Sequence, residues 1–138
     1  HHFDDVALAM REIARVLRPG GLFIFVDTMA PVDEEAARFQ DAVERLHDST
    51  HQRFYPQAQW IAFAKAAGFR IERTDVVRKA HPFEPWLERG GEDAATMQLV
   101  RGRFLDAPEA AVRALEITSE AGQVTSFTDS KLVFSARR

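Results

Sequence analysis

Acid–base chemistry near neutral pH draws on histidine, whose imidazole changes charge in that range. His1 and His2 open this 138-residue chain, and either suits a general base. His51 lies in the polar segment 47–53, a second place where a histidine can act beside a bound molecule. His47 and His51 stand four apart, the spacing of two metal ligands on one helical face. No third ligand accompanies them and no glutamate completes a zincin pattern, so no metal is expected. Arg53 closes the polar segment. Its guanidinium can pair with an anionic substrate or with a carboxylate such as Asp48, fixing a lid. Asp27 ends an apolar run, where it can orient a substrate or cap the backbone behind a strand. Phe54, Tyr55, Phe83 and Trp86 can line an apolar pocket or fill the core, and Tyr55 is the only tyrosine.

The elements that must position these residues follow from periodicity. Val6, Met10, Ile13 and Leu17 recur at helical spacing, which predicts a helix over 5–17, with Asp4 and Asp5 at its start and Pro19-Gly20-Gly21 as its stop. Residues 22–26 are apolar at every position, the pattern of a strand buried on both faces. The carboxyl end of such a strand is where open α/β sheets bind ligands, which places Asp27 at that edge. Helices are predicted over 33–46 and 57–67, with Glu34-Glu35 as a first-turn acidic pair and Gly68 as a stop. A strand is predicted over 69–77 and a short helix over 83–89. Helices over 93–105 and 108–115 come next, then strands over 123–127 and 131–136. Ala121-Gly122 can turn a hairpin between 116–119 and the first of these strands. There is no internal repeat or linker, so one α/β domain is expected.

Composition narrows the function classes. The chain is 46% hydrophobic and 28% charged with a net charge of −3, a globular profile without the basic excess of a nucleic-acid binder. The absence of cysteine excludes disulfides, thiolate zinc sites and a cysteine nucleophile, and leans the expected location to the cytoplasm. The longest apolar run is far too short to span a membrane.

The stretch HHFDDVALAMREIARVLRPGGLFIFVD resembles the middle of class I S-adenosylmethionine-dependent methyltransferases. Within that family it looks most like the small-molecule branch related to the ubiquinone/menaquinone-biosynthesis methyltransferases. The residues that carry the likeness are His1-His2-Phe3, Glu12, Arg15-Val16-Leu17, Pro19-Gly20-Gly21 and the strand ending at Asp27. Further on, the segment 48–53, Trp60, Ala67-Gly68-Phe69 and Phe83-Glu84-Pro85-Trp86 are also similar to that branch. The likeness runs over most of the chain and weakens after about residue 105.

The resemblance implies a Rossmann-like, doubly wound sheet, mostly parallel with one antiparallel strand near the C-terminus. It implies S-adenosylmethionine as cofactor and a small molecule as methyl acceptor, with transfer to oxygen, carbon or nitrogen. His1 and His2 would then lie at the end of a strand beside cofactor and substrate, as base or as pocket wall, unless they are the remnant of a tag. Phe3 would pack on the cofactor or on the following helix. His51 would be a further catalytic candidate, and Asp27, Arg53, Tyr55 and Trp86 would meet the substrate. The family's acidic-x-Gly-x-Gly-x-Gly turn is absent: the glycines stand at 20, 21, 68, 90, 91, 102 and 122. The expectation is therefore that residues 1–138 are the C-terminal part of a single methyltransferase domain. Most of the cofactor site would lie outside it, and an exposed sheet would require a homodimer or the missing N-terminal residues. The competing reading is a non-catalytic α/β half-domain for dimerisation or partner binding. A dehydrogenase-like nucleotide-binding domain lacks its phosphate-binding glycine loop here.

Overall fold

The computed structural model describes residues 1–138. Helix α1 (Val6–Val16) begins where the Asp5 side chain accepts a hydrogen bond from the Leu8 N–H at 2.8 Å, and it buries Val6, Met10 and Ala14. Gly20 then turns the chain at φ 75° into strand β1 (Leu22–Met29). Asp33 caps α2 (Glu34–His47) through the Glu35 and Ala36 amides, with Glu34 and Glu35 at the positive end of the helix dipole. After α3 (Gln57–Ala66) comes β2 (Arg70–Pro82), then α4 (Phe83–Arg89), α5 (Ala94–Leu105) and α6 (Glu109–Ala114). Strand β3 (Thr118–Glu120) and the long β4 (Gln123–Arg137) close the chain.

The sheet order is β1-β4-β2, with β3 paired to the start of β4. Every pair of strands is antiparallel, because β4 lies between β1 and β2 and runs against both; one isolated parallel bridge joins Met29 to Tyr55. Strands β1 and β2 therefore point the same way and are joined by a helical crossover. Strand β4 is the reversed strand expected near the C-terminus, whereas parallel neighbours do not occur among these four strands.

Three expectations need correction. The separate strands 123–127 and 131–136 are one continuous strand, since Thr128, Asp129 and Ser130 keep their pairing to Ala80, Lys79 and Arg78. For the same reason β2 runs on to Pro82. The run 22–26 is not buried on both faces. Phe23 and Phe25 pack inward, but Leu22, Ile24 and Val26 are 46%, 61% and 62% exposed, because helices cover only one side of β1 along this stretch.

Two cores result. Val6, Met10 and Ala14 of α1 meet Trp60 and Ala64 of α3 over Leu132, Phe134 and Ala136 of β4. On the opposite face of β4, Phe127 packs with Val43, Phe83, Trp86, Leu87, Val100 and Phe104. The hairpin β3–β4 turns through Ala121 and Gly122 at φ 48° and 76°, the paired positive values of a two-residue turn matched to strand twist.

Candidate functional site

The carboxyl end of β1 gathers most of the residues singled out from the sequence. Asp27 lies there with its Oδ1 accepting the Thr28 amide at 2.7 Å. The His1 ring Nδ1 contacts that same oxygen, and both side chains are mostly shielded from solvent. His1 is held from the other side as well: its carbonyl accepts the Gln52 and Arg53 amides at 3.0 and 3.3 Å. The segment after α2 thus docks onto His1.

The remaining histidines of the group surround this pair. The His1 ring centroid is 4.0 Å from His2, 5.0 Å from Phe54 and 5.6 Å from His51. His2 Nδ1 meets Thr50 Oγ1 at 2.9 Å, and Thr50 in turn donates to Asp48 through both hydroxyl and amide. The Thr50 hydroxyl bond is the leading cause that holds the Asp48 carboxyl below its ordinary range.

His51 has a fully buried side chain, and its Nε2 lies 2.9 Å from Asp41 Oδ1. A carboxylate only accepts, so Nε2 donates in this contact, and the buried Nδ1 has no hydrogen-bond partner. Asp41 also accepts the Phe54 amide at 2.9 Å, which ties the loop to α2. Two histidine–carboxylate pairs, His1–Asp27 and His51–Asp41, therefore stand side by side around Phe54. Imidazoles held by a carboxylate are suited to take up a proton from a bound molecule.

Beyond Asp27 the chain lines a cleft of about 850 Å³, walled by Met29, Ala30, Phe54, Ile61, Asp41 and Arg53 among others. Arg53 forms no ion pair. Its guanidinium instead stands over the Tyr55 ring, 5.3 Å from the centroid. The pairing with Asp48 considered from the sequence does not form, because Asp48 is taken up by Thr50. Tyr55 contributes chiefly through its backbone: its carbonyl accepts the Ala30 amide at 3.0 Å, while its ring packs edge-on to Trp60 and Phe63.

Trp86 and His47 are placed elsewhere. Trp86, read as a substrate contact, is a core residue that is only 5% exposed; it stacks on His47 at 3.8 Å and meets Phe104 and Phe127 edge-on. His47 donates to or accepts from no cleft group: its Nε2 bonds the Trp86 carbonyl at 2.9 Å, and Glu44 lies 3.4 Å from Nδ1. Phe3 is 60% exposed and packs on neither core.

One cluster escaped the sequence reading. At the carboxyl ends of β1 and β2, Lys131 Nζ bonds Thr28 Oγ1 and, at 2.9 Å, Asp129 Oδ2. His81 Nε2 lies 3.1 Å from the same carboxylate oxygen. Burial, the largest influence, and the nearby lysines hold His81 below its ordinary value despite Asp129. Its members sit 28, 81, 129 and 131 in sequence, and only the strand order brings them together. The signal open to sequence reading was the pair of charges interrupting the apolar alternation of 123–137.

Whether these residues fit a nucleoside cofactor can be judged from the backbone. Gly20, Gly68, Gly91 and Gly122 have positive φ, and none lies in a strand-to-helix turn. No glycine cradle is present, and Asp27, the acid near the end of β1, is engaged by His1; what the chain offers such a group is the pair His1 and His2, ring centroids 4.0 Å apart, with the exposed Phe3 next in sequence.

The His1–Asp27 pair lies two residues from Met29 of the cleft wall, at the carboxyl edge of β1, the kind of edge where open α/β sheets bind ligands. Comparison with known proteins gives the family. Residues 1–74 match the model of the family described as "Methyltransferase domain", more than half the chain, and the protein belongs to that family. An uncharacterized methyltransferase, YcgJ of Bacillus subtilis (strain 168), is 35% identical over 94 residues, 68% of this chain and 37% of that protein. An uncharacterized protein of Escherichia coli (strain K12), YafE, is 30% identical over 101 residues, 73% of this chain and 49% of that protein. The crystal structure of YcgJ superposes with a TM-score of 0.92 at 29% identity, covering all of this chain and 59% of that one. The chain thus spans less than half the length of these two curated relatives. Membership in an enzyme family does not favour the non-catalytic module. No helix is long and apolar enough to cross a membrane.

Proposed function

We propose that the protein is an S-adenosylmethionine-dependent methyltransferase of a small acceptor, with His1 as the base and Asp27 as its partner. The observation that carries this reading is the contact of His1 with the Asp27 carboxylate at the carboxyl end of β1, in a chain of the methyltransferase family. When bound, the cofactor supplies an electrophilic methyl group on sulfur. The residues of this chain have three tasks: to hold the acceptor in the cleft, to keep its nucleophilic atom in line, and to take its proton at a His1 nitrogen. Asp27 fixes the ring through Nδ1, which leaves Nε2 for an acceptor that reaches His1 past Phe54, the residue that both lines the cleft and packs on the His1 ring. His51, locked on Asp41 and shielded from solvent, shapes the pocket around His1, and His2 shares the cofactor wall with Phe3.

On this reading β1 and β2 belong to a Rossmann-like sheet, and residues 1–138 are the C-terminal part of its domain. The exposed Leu22, Ile24 and Val26 support it, because a buried methyltransferase strand would need further residues of the domain, or a second copy, over that face. The test is release of S-adenosylhomocysteine by the intact protein when it is supplied with S-adenosylmethionine and a panel of small acceptors. Turnover that falls on Asp27→Asn supports the assignment. Turnover that is indifferent to Asp27→Asn removes the His1–Asp27 pair from the reaction.

A further inference from the structure

Every charge lining the 850 Å³ cleft but one lies within 4 Å of an opposite charge, and the exception indicates what the cleft takes. Glu34 and Arg38 lie 3.5 Å apart on consecutive turns of α2. Asp41 is held by His51 and the Phe54 amide, with Arg45 at 3.9 Å. Arg53 alone has no carboxylate partner; its guanidinium is carried on the Tyr55 ring at the edge of the cleft. The walls between are apolar, from Met29, Ala30, Ala37, Phe54 and Ile61. A cleft of this size accepts a molecule of ordinary metabolite dimensions.

We infer that the acceptor is an apolar molecule bearing a single carboxylate, which pairs with Arg53 while its body lies along the Met29–Ile61 wall. A guanidinium matches a carboxylate through two parallel N–H···O bonds. A phosphate dianion fits less well, because one unpaired guanidinium balances only one of its two negative charges. The choice of an acceptor as occupant rests on the methyltransferase reading; the preference for a carboxylate rests on Arg53.

The experiment measures binding rather than turnover, so the two readings fail separately. The intact protein, saturated with S-adenosylhomocysteine, is titrated calorimetrically with 4-phenylbutyrate and with its neutral amide, 4-phenylbutyramide. The acid is expected to bind about tenfold more tightly than the amide, as for a charge-assisted pair. Arg53→Gln abolishes that preference and Arg53→Lys keeps part of it; Arg53 is exposed, so neither change threatens the fold. Equal binding of acid and amide, or a preference that survives Arg53→Gln, would overturn the inference. So would an acid preference seen only without S-adenosylhomocysteine, which would hand Arg53 to the cofactor's own carboxylate.

Discussion

The His47 imidazole lies flat against the Trp86 indole, with ring centroids 3.8 Å apart and planes inclined by 17°, and this stack fastens α2 to α4. Gly90, which ends α4, passes so close that an added Cβ would stand 2.4 Å from the His47 carbonyl oxygen. Backbone cannot yield as a flexible side chain can. Gly90→Ala is therefore expected to destabilise the protein by about 1–3 kcal/mol, the range for forced overpacking. Chemical denaturation reads the loss directly, and an unchanged midpoint would show that the two helices can separate.

The same stack makes stability depend on pH. Burial, the largest influence, lowers the His47 pKa, but Glu44, the Trp86 carbonyl and Asp48 together leave it raised above 6.5. A raised folded value means that the folded state holds the proton more tightly. Its contribution is complete below 6.5 and is lost as pH rises through the raised value. Glu44→Gln should shrink this alkaline loss, measured as the difference in unfolding midpoint between buffers just below pH 6.5 and mildly alkaline buffers. A variant with the wild-type pH dependence would remove Glu44 from the account of His47.

His81 works with the opposite sign. Its pKa is lowered from 6.5, so its contribution is present above that value and is lost as pH falls toward the lowered one. Its neighbours make the site costly to disturb, since Asp129 is 6% exposed and one of its carboxylate oxygens already lacks a partner. Lys131→Met removes the cation that balances it. The expected cost is about 3–5 kcal/mol, the range for stranding a buried charge, and Asp129→Asn in the same chain should recover much of it. A double variant no better than Lys131→Met would contradict that explanation.

Ala121 holds φ 48° at a turn position that suits glycine or asparagine. Ala121→Gly or Ala121→Asn is expected to stabilise the β3–β4 hairpin by about 0.5–1 kcal/mol. Thermal unfolding is the check, and a lower midpoint in both variants would mean that Ala121 makes contacts worth more than its strain.

Much of this architecture was legible in the chain because the signals were local. The spacing of Val6, Met10, Ile13 and Leu17, the acidic first turn Glu34-Glu35, and Pro19-Gly20-Gly21 each decide an element within a few residues. What was illegible depends on strand order. Uniform apolarity at 22–26 could not reveal that one face would be left uncovered, and Trp86 reads alike as pocket wall or core until α5 and β4 close over it. Asp27 was expected at a strand end from the apolar run before it, and His1 and His2 beside a strand end from the family resemblance; their meeting with one another and with His51 comes from the fold. The partners of His51 and Thr28 were not legible. Asp41 reaches His51 from the middle of α2, and Lys131 reaches Thr28 from a strand more than a hundred residues later.

The most direct measurement compares methyl transfer by the intact protein and by its Asp27→Asn variant across pH, with S-adenosylhomocysteine release as the readout. Loss of the carboxylate should leave the His1 ring unoriented and lower kcat by roughly a hundredfold, the scale of a general base, with the acceptor KM little changed and the dependence of the rate on pH flattened. A wild-type kcat and pH profile in Asp27→Asn, in a variant that remains folded, would contradict the catalytic role assigned to the His1–Asp27 pair.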